Sequence, residues 1–134
     1  METDLIINQI NEIQKAANEA FEQKEIAPFM SHFDEQLKYS TTNGSVWTKK
    51  ELGVQTEKFF RNARQISKEY YRVKSSFENG VFVEKIASKI VLNKSVLAVF
   101  SKKQTIQTEE VFHWKEISGQ WRVTEASLIL EEKY

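Results

Sequence analysis

Apolar positions over the first part of the chain recur at steps of three and four. Ile6, Ile10, Ile13, Ala17, Ala20 and Phe21 form one stripe, and Asn11, Lys15, Asn18 and Glu22 fall on the opposite side. This pattern predicts an amphipathic helix over residues 3–24, with Thr3 as its N-cap and Asp4 in its first turn. A second, short helix is expected over 27–33, with Pro28 in a first turn where its missing N–H is not needed. Leu37, Tyr39 and Thr41 alternate with Gln36, Lys38 and Ser40, which predicts a strand ending at the turn signal Asn43-Gly44. Thr48-Lys49-Lys50-Glu51 reads as a capping box opening a third helix over 49–64. That helix carries Leu52, Thr56, Phe59, Phe60 and Ala63 on one side, and Gly53 weakens it by about 1 kcal/mol relative to Ala.

From Ile66 onward the period becomes 2. Strands are expected over 66–78, 81–92, 95–103, 107–117 and 120–131. Asn79-Gly80, Asn93-Lys94 and Ser118-Gly119 supply turn signals, whereas the join at 102–108 carries none. Joins this short imply antiparallel neighbours. Helices gather at the front and strands at the back, so the class is α+β. Strands this long twist and curl. The expected architecture is one domain over 1–134, a cone-shaped, strongly curved mixed or antiparallel sheet with three N-terminal helices packed on its concave face.

Composition narrows the function. Nineteen Lys and Arg balance nineteen Asp and Glu, for a formal net charge of zero. Nucleic acid and anionic membranes are recognised by concentrated positive charge, so neither is an expected partner. Nine Phe, four Tyr and three Trp beside four Gly and one Pro exclude a low-complexity chain. The start, Met1 to Asp4, has acids where a signal peptide has bases, and the apolar runs fall far short of the roughly 20 residues of a membrane span. A cytoplasmic location is the expectation. There is no Cys, no G-x-G-x-x-G, no Walker loop and no Ser elbow. His32 lies two residues before Asp34 with no third ligand at motif spacing, so neither a metal nor a cofactor is expected.

Five features in order resemble the nuclear transport factor 2-like superfamily, in its SnoaL-like and ketosteroid-isomerase-like branch. They are the long first helix, the helical turn from Ala27 to Phe33, and the strand from Leu37 to Thr42 running into Asn43-Gly44. The other two are the start Thr48-Lys49-Lys50-Glu51-Leu52 and the closing Gly119-Gln120-Trp121-Arg122-Val123. The resemblance covers nearly the whole chain. It implies a curved sheet enclosing a pocket and a dimer formed through the sheet's outer face. Members include isomerases, polyketide cyclases, dehydratases, dioxygenase small subunits and domains that only bind or scaffold. The isomerase chemistry needs a carboxylate base and an oxyanion donor. Counted back from Gly44, the base position falls at about Thr41 and the donor position at about Ala17, and neither residue can serve. Where SnoaL-like members often carry histidines, this chain has roughly Glu125 and Ser127.

Three residues remain as candidates for nonstandard acid or base chemistry. Glu84 shares a strand side with Phe82, Ile86 and Ile90, where burial would raise its pKa; the plainer reading is a rim carboxylate paired with Lys. Glu125 is read on the side of Trp121 and Val123, with a cross-strand ion pair as the plainer reading. His113 alternates with Phe112 and Trp114, and a lone strand His is more often packed or solvated than catalytic. The expected pocket lining is Ala17, Phe33, Tyr39, Thr41, Trp47, Phe59, Tyr71 and Trp114. Val96, Ala98 and Phe100 on one side, with Leu97 and Val99 on the other, suggest two dry sheet faces and hence a second subunit. The expected function is a homodimeric binding or scaffolding domain for a small apolar ligand. The alternative is an isomerase, dehydratase or cyclase using Glu84, Glu125 or His113.

Overall fold

The computed structural model describes residues 2–97 and 100–134, with the side chains of 95–101 left aside. The chain runs α1 (Glu2–Glu22), α2 (Ile26–Met30), β1 (Phe33–Ser40), β2 (Val46–Trp47), α3 (Lys49–Asn62), β3 (Ala63–Glu78), β4 (Val81–Leu97), β5 (Phe100–Ile117) and β6 (Gln120–Lys133). The six strands form one curved, unclosed sheet in the order β2-β1-β6-β5-β4-β3, and the three helices lie at the N-terminal side of the chain. All neighbours are antiparallel except β1 and β6, which run parallel. The sheet is therefore mixed.

Local chemistry accounts for the element boundaries. Thr48 caps α3: its hydroxyl accepts from the Glu51 amide at 3.2 Å, and the Thr48 amide donates to the Glu51 carboxylate at 3.2 Å. Two β-hairpins turn on residues with positive φ, Asn79 (52°) with Gly80 (78°) and Ser118 (52°) with Gly119 (81°). That pair of left-handed residues matches the right-handed twist of the flanking strands. Thr3, expected as an N-cap, lies inside α1.

The meander differs from its expected form. Four strands follow α3 in place of five. Asn93-Lys94 does not turn: Asn93 sits in the ladder between Gln65 and Lys103, and β4 pairs with β5 from Phe82↔Trp114 to Leu97↔Phe100. Residues 102–108 are likewise interior to β5. A turn-prone dipeptide is overridden when both neighbouring strands hold its backbone groups. The residues that suggested two dry faces, Val96 to Phe100, lie outside the described side chains.

Burial alternates cleanly along β4: Phe82, Glu84, Ile86, Ser88, Ile90 and Leu92 face inward, and Val83, Lys85, Ala87, Lys89 and Val91 face outward. The inward residues form two apolar clusters. One gathers around Ile10, Phe33, Phe82, Trp114 and Val123, and the other around Phe21, Phe60, Ile66, Ile90 and Ile106. Between them the curved sheet and the helices leave room.

Candidate functional site: an aromatic cavity with a polar wall

That room is a cavity of about 360 Å³. Gln14, Ala17 and Phe21 of α1 line it, opposite Phe112 and Trp114 of β5, with Phe29 and Phe59 from the other two helices. The aromatic rings pack against one another as well: Phe21 lies 5.2 Å from Phe29 and 5.2 Å from Phe60, between centroids. Ala17, Phe33, Tyr39, Thr41, Trp47, Phe59 and Trp114, seven of the expected lining residues, lie on the cavity wall. Tyr71 does not. On β3 the inward positions are Ile66 and Lys68, so Tyr71 falls on the outer face and is 67% exposed.

None of the three residues expected as acid or base reaches the cavity. Glu84 is buried behind its wall with both oxygens engaged. Oε1 accepts from Arg72 Nε at 2.8 Å, and Oε2 accepts from Trp114 Nε1 at 2.7 Å and from the Gln14 carboxamide. Arg72 in turn donates to Asn11 at 2.7 Å. Burial raises the Glu84 pKa, and Arg72 and Trp114 oppose that shift. Glu84 is thus a tie between α1, β3 and β5. His113 faces outward, because its neighbours Phe112 and Trp114 take the inner side. Glu125 was expected beside Val123 but sits opposite His113 on the outer face. The reason is a register shift: His113 pairs with Glu125 while Trp114 pairs with Val123, so Thr124 is an extra residue. A β-bulge of this kind reverses the alternation beyond it.

Other polar groups occupy the wall. His32, at the junction of α2 and β1, holds Phe29 O through Nδ1 at 2.6 Å and lies 4.0 Å from the Phe33 ring. Burial lowers its pKa to about 4, with Lys68 and Lys49 acting in the same direction, so the ring is neutral near pH 7. Nδ1 then carries the proton, and Nε2 is left as an acceptor. Tyr39 donates to Glu110 at 2.5 Å, and burial together with that carboxylate raises the Tyr39 pKa far above its ordinary value. Lys68 lies over the Phe21 ring at 4.8 Å, and Thr108 completes the polar side. In the sequence His32 figures only as a metal ligand lacking partners, and Lys68, Thr108 and Glu110 are not singled out there. Strand parity carries the signal for Glu110, which alternates in step with Phe112 and Trp114. Nothing local marks His32, whose place depends on the chain's bend into β1. Among the described residues no three His, Cys, Asp or Glu side chains gather as a metal set, and no helix is long and apolar enough to cross a membrane.

No protein-family model matches the sequence, and no curated protein matches it. Solved structures do. A conserved protein from Planctomyces limnophilus superposes with a TM-score of 0.84 at 11% identity, covering 100% of both chains. A putative scytalone dehydratase from Novosphingobium aromaticivorans gives 0.83 at 12% identity, covering 99% of this chain and 91% of that one. An NTF-2 like protein of unknown function from Shewanella oneidensis gives 0.68 at 15% identity, covering 96% and 98%. The chain therefore has the nuclear transport factor 2-like fold, which hosts both enzymes and proteins of unknown function.

His32 gives a pH prediction. Its pKa falls from 6.5 in the unfolded chain to about 4 in the folded one, so between those values the unfolded chain binds the extra proton. Stability is kept above pH 6.5 and lost as pH falls toward 4, by up to about 3 kcal/mol from this group at 1.36 kcal/mol per pK unit. Urea midpoints across this range should fall in the wild type and fall less in His32→Gln; equal slopes would remove His32 as the cause.

Proposed function

We propose that the protein binds a small, largely apolar molecule in the cavity between the helices and the concave face of the sheet. The observation that carries this reading is the cavity itself. At about 360 Å³ it lies within the range of about 300–1,000 Å³ found for ligand pockets. Its lining surface is more apolar than polar, with aromatic rings from helices and strands and polar groups spread among them, as a site that buries and orients a ligand requires. The neutral fluorescent probe N-phenyl-1-naphthylamine tests it directly. The probe should brighten on mixing with the wild type and quench Trp47 and Trp114 emission by energy transfer. Ala17→Trp fills the cavity from α1 and should weaken binding at least tenfold. No brightening, or brightening unchanged by Ala17→Trp, would exclude the cavity as a binding site.

A second reading, a lyase or isomerase of the SnoaL-like kind, is favoured by His32. A neutral imidazole on the cavity wall, oriented through Nδ1, keeps Nε2 as an acceptor, though burial makes it a weaker base than a free imidazole. Tyr39 on the same wall gives its one O–H to Glu110, so toward a bound molecule its oxygen is an acceptor. Geometry of this kind also suits plain recognition, and binding is the simpler function.

The protein is further proposed to be a homodimer through the outer face of β3–β6. Tyr71 and Val73 are exposed there, and Val83, Ala87, Val91 and Val111 make an apolar band beside the Lys85–Glu109 ion pair at 2.7 Å. Four strands about 4.8 Å apart and some 14 residues long at about 3.3 Å each present on the order of 900 Å², near the roughly 800 Å² per partner of a stable complex. Light scattering at micromolar concentration should give twice the chain mass, and Val83→Asp should give one. A wild type that scatters as a single chain would reject the dimer.

A further inference from the structure

The polar wall carries a cation and a hydroxyl that hydrogen bonds within the protein do not satisfy, with a second unpaired hydroxyl, that of Ser88, behind the wall. Lys68 projects from β3 into the cavity lining; among the described residues its ammonium makes no hydrogen bond and no ion pair within 4 Å, and it lies over the face of Phe21, with the Glu110 and Glu22 carboxylates opposing the lowering of its pKa by burial. The carboxylates whose charge reaches it, Glu110 and Glu22, each hold another partner, and Glu131 also lines the cavity. Glu22 accepts from the Lys68 backbone amide at 2.9 Å, Glu110 accepts from Tyr39 at 2.5 Å, and Glu131 lies 4.0 Å from Lys133. The second observation is independent of Lys68. Thr108 Oγ1, on the cavity wall, and Ser88 Oγ, opposite it across β4 and β5, are buried without any hydrogen-bond partner. Their residues are 7% and 6% exposed. A buried unpaired hydroxyl is expensive, and such groups commonly mark a site completed by something from outside.

Register brings these groups to one place. Lys68 is paired with Ile90, two residues from Ser88 on the same inward face, and Ser88 is paired with Thr108. A cation on β3 and a hydroxyl on β5 thus flank the same end of an aromatic chamber. A carboxylate is acceptor-only when ionised, so it complements an ammonium and hydroxyl donors at once. An amine would meet the Lys68 charge, and a neutral alcohol would leave that charge unpaired.

We propose that the ligand of this cavity is a small aromatic or alicyclic carboxylate, its anion held between the Lys68 ammonium and the Thr108 hydroxyl and its ring among Phe21, Phe59 and Phe112. This inference rests on the cavity being a binding site and specifies what it takes. Three size-matched probes separate the two: 2-naphthoate, 2-naphthalenemethanol and 2-naphthylmethylamine, titrated against the wild type at pH 7 by Trp quenching and calorimetry. Naphthoate should bind at least about tenfold more tightly than the alcohol, the scale of a charge-assisted hydrogen bond. Lys68→Met should erase that preference while keeping the alcohol's affinity, and Thr108→Val should reduce naphthoate affinity several-fold. Met relieves a desolvated charge, so circular dichroism of Lys68→Met should match the wild type. Equal binding of acid and alcohol, or tightest binding of the amine through Glu110 and Glu131, would overturn the carboxylate assignment and leave the cavity reading standing. Binding of none of the three, together with no response to N-phenyl-1-naphthylamine, would overturn both.

Discussion

One buried carboxylate fixes how the helical layer meets the sheet. Glu84 sits on the concave side of β4 and joins Gln14 of α1, Arg72 of β3 and Trp114 of β5. Burying a charge is costly unless it is paired and hydrogen-bonded, and here both oxygens are served. Removing one member of such a set costs about 3–5 kcal/mol, because the others are left buried and unpaired. The tie therefore has a steep energy well. It holds α1 at one height above the sheet, and that height sets the depth of the chamber beyond it.

The chamber follows from that spacing. Beneath Glu84 the two layers are clamped, around Phe82, Trp114 and Val123. At the other end Phe21, Phe60, Ile66 and Ile90 close the gap. Between these apolar contacts the facing residues change from large to small and polar, with Ala17 on α1 and Ser88, Thr108 and Glu110 on the sheet. Small and polar inward residues cannot fill a space that aromatic clusters hold open at both ends. The cavity is thus a consequence of side-chain volume along β4 and β5, placed by the Glu84 tie.

Much of this was legible in the sequence. The 3.6-residue stripe of α1, the Thr48–Glu51 capping box and the Asn79-Gly80 and Ser118-Gly119 turns are local signals with local physical causes, and each lies where its residues indicate. The unread parts share a different origin. Asn93-Lys94 resembles a turn until the neighbours Gln65 and Lys103 claim its backbone. Glu125 alternates with Val123 until a bulge at Thr124 turns it outward. Both are decided by strands distant in the chain. Tyr71 is an error of parity within reach of the sequence, since Ile66 alone sets the inward side of β3 and Tyr71 falls five residues on, on the other side.

The same distinction explains why the polar wall escaped notice while the aromatic wall did not. An aromatic residue on an inward position announces itself by burial alone, whatever its neighbours. A Lys or Thr on such a position reads as surface unless the parity of the whole strand is trusted over the chemistry of the residue. Lys68, Thr108 and Glu110 all obey the period-2 alternation of their strands and all contradict the expectation that inward means apolar. Natural sequences break local consistency where something other than stability is at stake. Three such breaks on the two strands that flank β4, around one cavity, are hard to assign to packing, because packing would be better served by Met, Val and Leu. Their coincidence is the strongest physical reason to regard the cavity as a place made for a ligand, in place of a defect left by an imperfect core.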